Sequence, residues 1–184
     1  MEKELTYSAF AGTSLLAAGT RGEVLAALKS RFDQDQGAVI LVFQDNTGKQ
    51  VDFDLRGTLD DVLARYESTP VRVGPGRPKL GVVAREVSLL PRHWEWLEQK
   101  PSGASAAIRK LVDEARKQNP GEQAARMAIE AAGRFMSAMA GNFPGFEEAT
   151  RALYARNRSK FEILIREWPG DIRLHVQHLV QNAF

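Results

Sequence analysis

The sequence predicts an α+β protein: a small N-terminal β-β-α-β-β-α module, then a strand-helix-helix, then a C-terminal helical region. Three observations predict it. Short β-rich runs alternate with helical apolar spacing over the first seventy residues. The stretch 68–80, STPVRVGPGRPKL, carries three prolines and two glycines and forbids a regular helix. Beyond residue 90, segment after segment shows an apolar stripe at helical spacing.

The elements follow in order. Tyr7–Phe10 and Ser14–Ala18 are strand-like runs on either side of Ala11-Gly12-Thr13, which predicts a hairpin. Thr20 and Glu23 have the spacing of a capping box, in which the hydroxyl accepts an early helical N–H and the carboxylate reaches back. A helix therefore starts there, with Val24, Leu25, Leu28 and Phe32 on one face, and Gln36-Gly37 closes it. Val39–Phe43 is a short apolar run rich in β-formers, and Asp45-Asn46-Thr47-Gly48 is a turn, since Asn and Gly tolerate positive φ. Val51, Phe53 and Leu55 alternate with Asp52 and Asp54, which predicts a half-buried strand with both acids on its wet side. Thr58 opens a second helix carried by Leu59, Val62, Leu63 and Tyr66.

Domain limits follow from the break. Residues 1–70 form an acidic α/β module, 71–81 a Pro/Gly linker, and 82–184 a strand plus a helical domain. Within the last, Val82–Leu90 reads as a strand and Pro91 opens a helix over Arg92–Gln99. Pro101-Ser102-Gly103 interrupts, and Ala104–Lys117 is a helix with Ile108, Leu111, Val112 and Ala115 on one face. Asn119-Pro120 then starts a helix over 121–140, and three shorter helices follow at Phe146–Arg156, Ser159–Trp168 and Asp171–Asn182.

Composition limits the function. The chain has 184 residues, 43% hydrophobic and 26% charged, the balance of an ordinary globular protein. It has no cysteine, which excludes disulfides, thiol catalysis and Cys-based metal sites. No apolar run is long enough to cross a bilayer, and the opening MEKELTYSAFAG lacks the apolar core of a secretory signal, so no membrane partner and a cytoplasmic location are expected. His175 and His178 stand i, i+3 on a helix, but spacing places no third ligand beside them; they are read as solvated, with no metal. Asp52, Asp54 and Asp60 are the nearest candidates for acid–base work, yet no nucleophile motif, phosphate loop or dinucleotide fingerprint accompanies them. No enzyme, no catalytic residue and no cofactor is expected. Trp94, Trp96 and Trp168 are expected to be core or domain-contact residues, and any that is exposed marks an interaction surface.

Charge points to the middle of the chain. Residues 1–70 carry seven basic and eleven acidic side chains, 71–117 carry ten and five, and 118–184 carry eight and seven. An anionic partner is therefore sought at 71–117. Gly76-Arg77-Pro78, followed by Lys79, resembles the core of the AT-hook. In that element Gly lets the backbone lie on the minor-groove floor, Pro keeps it extended, and Arg enters the narrow, negative groove. The order strand, helix, Gly103-Ala104-Ser105 turn and second helix over 85–117 is similar to the ribbon-helix-helix family of DNA-binding dimers. That resemblance implies groove contact by the strand's solvent-facing side chains and phosphate contact by Ser105 and its neighbouring amides.

Long blocks give a further resemblance. They include Val51–Gly57 (VDFDLRG), Gly76–Val87 (GRPKLGVVAREV), Leu90-Pro91-Arg92-His93-Trp94, Pro144–Ala149 (PGFEEA) and Trp168–Arg173 (WPGDIR). In these the chain resembles the bacterial family called domain of unknown function 2239, which implies a bacterial protein and carries over no activity. The expectation is thus a DNA-binding protein, a transcriptional regulator, acting as a homodimer. Arg77 and Lys79 serve as a minor-groove arm, Arg85, Ser88 and Arg92 contact groove edges or phosphates, and Ser105 and Lys110 hold phosphate. The alternative is a non-catalytic protein-interaction module presenting Trp96, Trp168 or Phe184 to a partner.

Overall fold

The computed structural model describes residues 5–35, 37, 39–67, 85–118 and 120–184. They fall into two compact units, one within 1–67 and 121–184, the other within 68–120. The sequence predicts one region over 82–184. Packing instead places the last four helices with the N-terminal sheet.

The expected β-β-α-β-β-α order is present: β1 (Thr6–Ala11), β2 (Ser14–Thr20), α1 (Arg21–Gln34), β3 (Ile40–Gln44), β4 (Lys49–Val51) and α2 (Leu59–Tyr66). The sheet runs β2-β1-β3-β4, and each neighbouring pair is antiparallel. The capping box at α1 is formed: Glu23 N–H donates to Thr20 Oγ1 at 3.4 Å, and Thr20 N–H donates to Glu23 Oε2 at 2.8 Å. Thr58 and Asp61 repeat the device at α2.

The strand expected over 51–55 ends its ladder at Val51. Side chains of α2 take the backbone groups that a strand partner would otherwise satisfy. Asp54 N–H donates to Tyr66 Oη at 2.6 Å, and the Arg65 guanidinium donates to the carbonyls of Asp54 and Arg56. Phe53 and Leu55 still pack inward as the alternation predicts.

The remaining helices of this unit are α5 (Pro120–Met139), α6 (Phe146–Tyr154), α7 (Arg158–Leu164) and α8 (Gly170–Leu179), numbered after α3 (Pro91–Glu98) and α4 (Ala104–Gln118) of the other unit. Strand alternation sorts the sheet into two faces. Tyr7, Ala9 and Val42 pack with Val24 and Leu28 of α1. Phe10 and Phe43 join a larger core with Ile129, Phe135 and Met136 of α5, Leu153 of α6, Phe161 of α7 and Ile172 and Val176 of α8.

The predicted turn Asp45–Gly48 is a point of close approach. Gly48 has φ +63°, and a Cβ there would overlap the carbonyl of Ala131 on α5. Gly48→Ala is expected to lower unfolding free energy by about 2 kcal/mol, because it adds left-handed strain to a clash with backbone. A urea midpoint equal to that of the parent would show that the turn moves aside freely.

Candidate functional site

The nucleic-acid residues named by the sequence lie in the second unit. Arg77 and Lys79, and the linker 71–81, fall outside the described residues. Of the strand expected over 82–90, the described part, 85–90, is not in a ladder. An extended segment becomes a strand only against a partner, and no described residue supplies one. Arg85 and Ser88 lie in this segment and Arg92 in the first turn of α3; all three are exposed. Among the described residues Arg85 and Arg92 enter no ion pair.

Ser105 is exposed at the start of α4, after the break at Pro101-Ser102-Gly103, and Gly103 C=O accepts from Ala107 N–H at 3.0 Å. Lys110, also exposed, faces Glu114 at 3.8 Å one turn on, a surface pair that holds it weakly. The residues 85–117 carry seven basic and five acidic side chains, so three of the cations behind the regional excess (Arg72, Arg77, Lys79) precede the described segment.

This helix pair buries little. Leu97 and Ala107 are its buried apolar side chains among the described residues, whereas Val87, Leu90, Trp94, Trp96, Leu111 and Val112 are exposed. Trp96 is covered on one face by Lys100, whose Nζ lies 3.8 Å from the ring centroid. Trp94 and Trp96 therefore depart from the core role expected of them. Trp168 keeps it: the residue is 3% exposed and its indole N–H donates to Pro144 C=O at 3.0 Å, which removes it from any docking surface. Phe184 is partly exposed beside Phe161.

The weak catalytic candidates have structural roles. The Arg56 guanidinium beside Asp54 holds that carboxyl well below the usual carboxylate range. Asp61 is lowered by the hydroxyl and amide of Thr58, which it caps. Asp52 and Asp60 are exposed.

His175 is not solvated: it is 8% exposed and meets Phe135 and Phe10 edge-on at 4.5 and 5.3 Å. Its place follows from the stripe Ile172, His175, Val176 and Leu179, the i, i+3, i+4, i+7 face of α8, which Ile172, Val176 and Leu179 alone mark as apolar in the sequence. Burial pulls its pKa down to about 4, His178 adds to the fall, and the Asp45 carboxylate opposes it. His175 Nε2 faces Asp45 Oδ1 at 3.8 Å, too far for a hydrogen bond, and both atoms are buried without a partner. The two residues border an open cleft of about 420 Å³ that Thr6, Ser8, Leu15, Asp171 and His178, among others, also line. Asp171 Oδ2 accepts from Leu15 N–H at 2.8 Å. Among the described residues no group of three or more His, Asp or Glu is arranged to hold a metal ion.

No described helix is long and apolar enough to cross a membrane. Neither a curated protein nor a solved structure matches the chain. One family model does, over residues 6–180, nearly the whole length, and the match includes every block that carried the family resemblance. The chain therefore belongs to the family of uncharacterized proteins conserved in bacteria, DUF2239.

Proposed function

We propose that the protein binds DNA as a homodimer through residues 72–117 and acts in the bacterial cytoplasm as a transcriptional regulator. One observation carries the reading: Arg85 and Ser88, directly ahead of α3, and Arg92, in its first turn, stand in solvent on a helix pair that buries only Leu97 and Ala107 among the described residues. An extended segment without a ladder and a helix pair with an uncovered apolar face are what one protomer of a strand-paired dimer presents alone. In the dimer the two 85–90 segments pair and enter the major groove, and Ser105 and Lys110 hold phosphate at the start of α4. Arg77 and Lys79 extend into the adjacent minor groove.

The test is fluorescence anisotropy of labelled A·T-rich and G·C-rich duplexes over a salt series, with light scattering for the oligomer. Log affinity is expected to fall linearly with log salt as counterions leave, and Arg77→Ala and Arg92→Ala each to flatten the slope by about one unit. A strict monomer that binds neither duplex at low salt ends the proposal.

The second reading is a non-catalytic protein-interaction module, favoured by the exposure of Trp94, Trp96, Leu111 and Val112 on the helix pair. It predicts that Trp96→Ala removes a co-purifying protein while the basic residues can be replaced without effect.

A further inference from the structure

We propose that the cleft between β1, β2 and α8 binds a small organic cation, with an ammonium group against Asp45 and His175 and its hydrocarbon part along Leu15, Ala18 and Leu174. The cleft is a separate feature from the basic segment and lies wholly in the unit that holds the sheet.

The cleft is bordered by two carboxylates, Asp45 and Asp171, two imidazoles, His175 and His178, and the hydroxyl-bearing Thr6 and Ser8. No Lys or Arg borders it. Among the described residues neither carboxylate has a Lys or Arg partner, and the one group facing Asp45 within ion-pair range is His175. A buried imidazole with a depressed pKa is neutral near pH 7, so it supplies no counter-charge.

Asp45 opens the β3–β4 turn, and its N–H donates to Thr6 C=O at 3.0 Å, which fixes its backbone at the end of β1. His175 is fixed by its two aromatic neighbours. The two side chains are 11% and 7% exposed, yet Oδ1 and Nε2 find no partner, against the rule that buried polar atoms are hydrogen-bonded. With its proton on Nδ1 the neutral His175 ring leaves Nε2 an acceptor, and Nε2 and Asp45 Oδ1, 3.8 Å apart, are then two acceptors that one donor-rich group can bridge. An ammonium meets that need with three N–H donors and a positive charge; an alcohol supplies one donor and no charge, and a carboxylate is repelled. Leu15, Ala18 and Leu174 supply apolar surface at the mouth.

The experiment uses the full chain at pH 7 with butylammonium chloride, and 1-butanol and sodium butyrate as probes of matched length, followed by amide and ring NMR shifts. Butylammonium is expected to move the signals of Leu15, Asp45 and His175 saturably. Asp45→Asn is expected to weaken it at least tenfold. Leu174→Lys, a change at an exposed position that places a cation at the mouth, is expected to weaken it similarly without disturbing the fold. Equal shifts with butanol or butyrate, unchanged affinity in both variants, or zinc chloride moving the His175 and His178 ring signals in place of butylammonium would each overturn the proposal.

Discussion

Phe135→Ala is expected to lower the unfolding free energy by about 3–5 kcal/mol, the range for deleting a fully enclosed aromatic ring. Phe135 has no exposed surface. Its ring lies 4.9 Å from Phe43, 5.3 Å from Phe10 and 4.5 Å from His175, all at the inclined angles that aromatic edges and faces prefer. One residue of α5 thus touches β1, β3 and α8 together. Four elements far apart in sequence lose contact at once, and a rigid sheet on one side leaves little room to collapse into the space. Phe135→Leu retains most of the apolar volume and is expected to cost less than half as much. Urea denaturation of the two variants checks both, and a loss under about 1 kcal/mol for Phe135→Ala would place the ring outside the core.

Much of the frame that Phe135 supports was legible because its signals are local. Thr20 and Glu23 announce α1, Asp45–Gly48 the tight turn and Pro120 the long helix, and each works through backbone groups within a few residues. What was not legible depends on partners distant in sequence. The ladder past Val51 is pre-empted by Tyr66 and Arg65, which the alternation at 51–55 cannot reveal. That α5–α8 close over the sheet follows from Phe10 and Phe43 pointing to the face opposite α1, and strand pairing decides this rather than composition. The candidate sites divide in the same way. Exposure of Arg85, Ser88, Arg92, Ser105 and Lys110 agrees with their polarity. The meeting of Asp45 and His175 joins positions 130 apart, and the one early signal was a histidine on the apolar stripe of α8.

That histidine makes stability depend on pH in a window of its own. His175 has a folded pKa near 4 against an ordinary 6.5, because burial among Phe10 and Phe135 disfavours the charged ring more than the Asp45 carboxylate favours it. Between those values the unfolded chain takes up a proton that the folded chain refuses, so acidification favours unfolding. The contribution is fully present above pH 6.5 and is lost as pH falls toward 4. The expected loss between pH 7 and pH 5 is about 2 kcal/mol, measured as urea midpoints at constant ionic strength. Other shifted groups act lower. Glu23, Asp54, Asp61 and Glu122 are held below ordinary values of 4.5 or 3.8, so what they contribute persists above those values and disappears beneath them. Asp45, Asp171 and His178 also border the ring's cleft. His175→Gln, which keeps a polar side chain without a titrating proton, is therefore expected to flatten the profile between pH 5 and pH 7. A slope that persists in that variant would move the origin of the pH dependence away from α8.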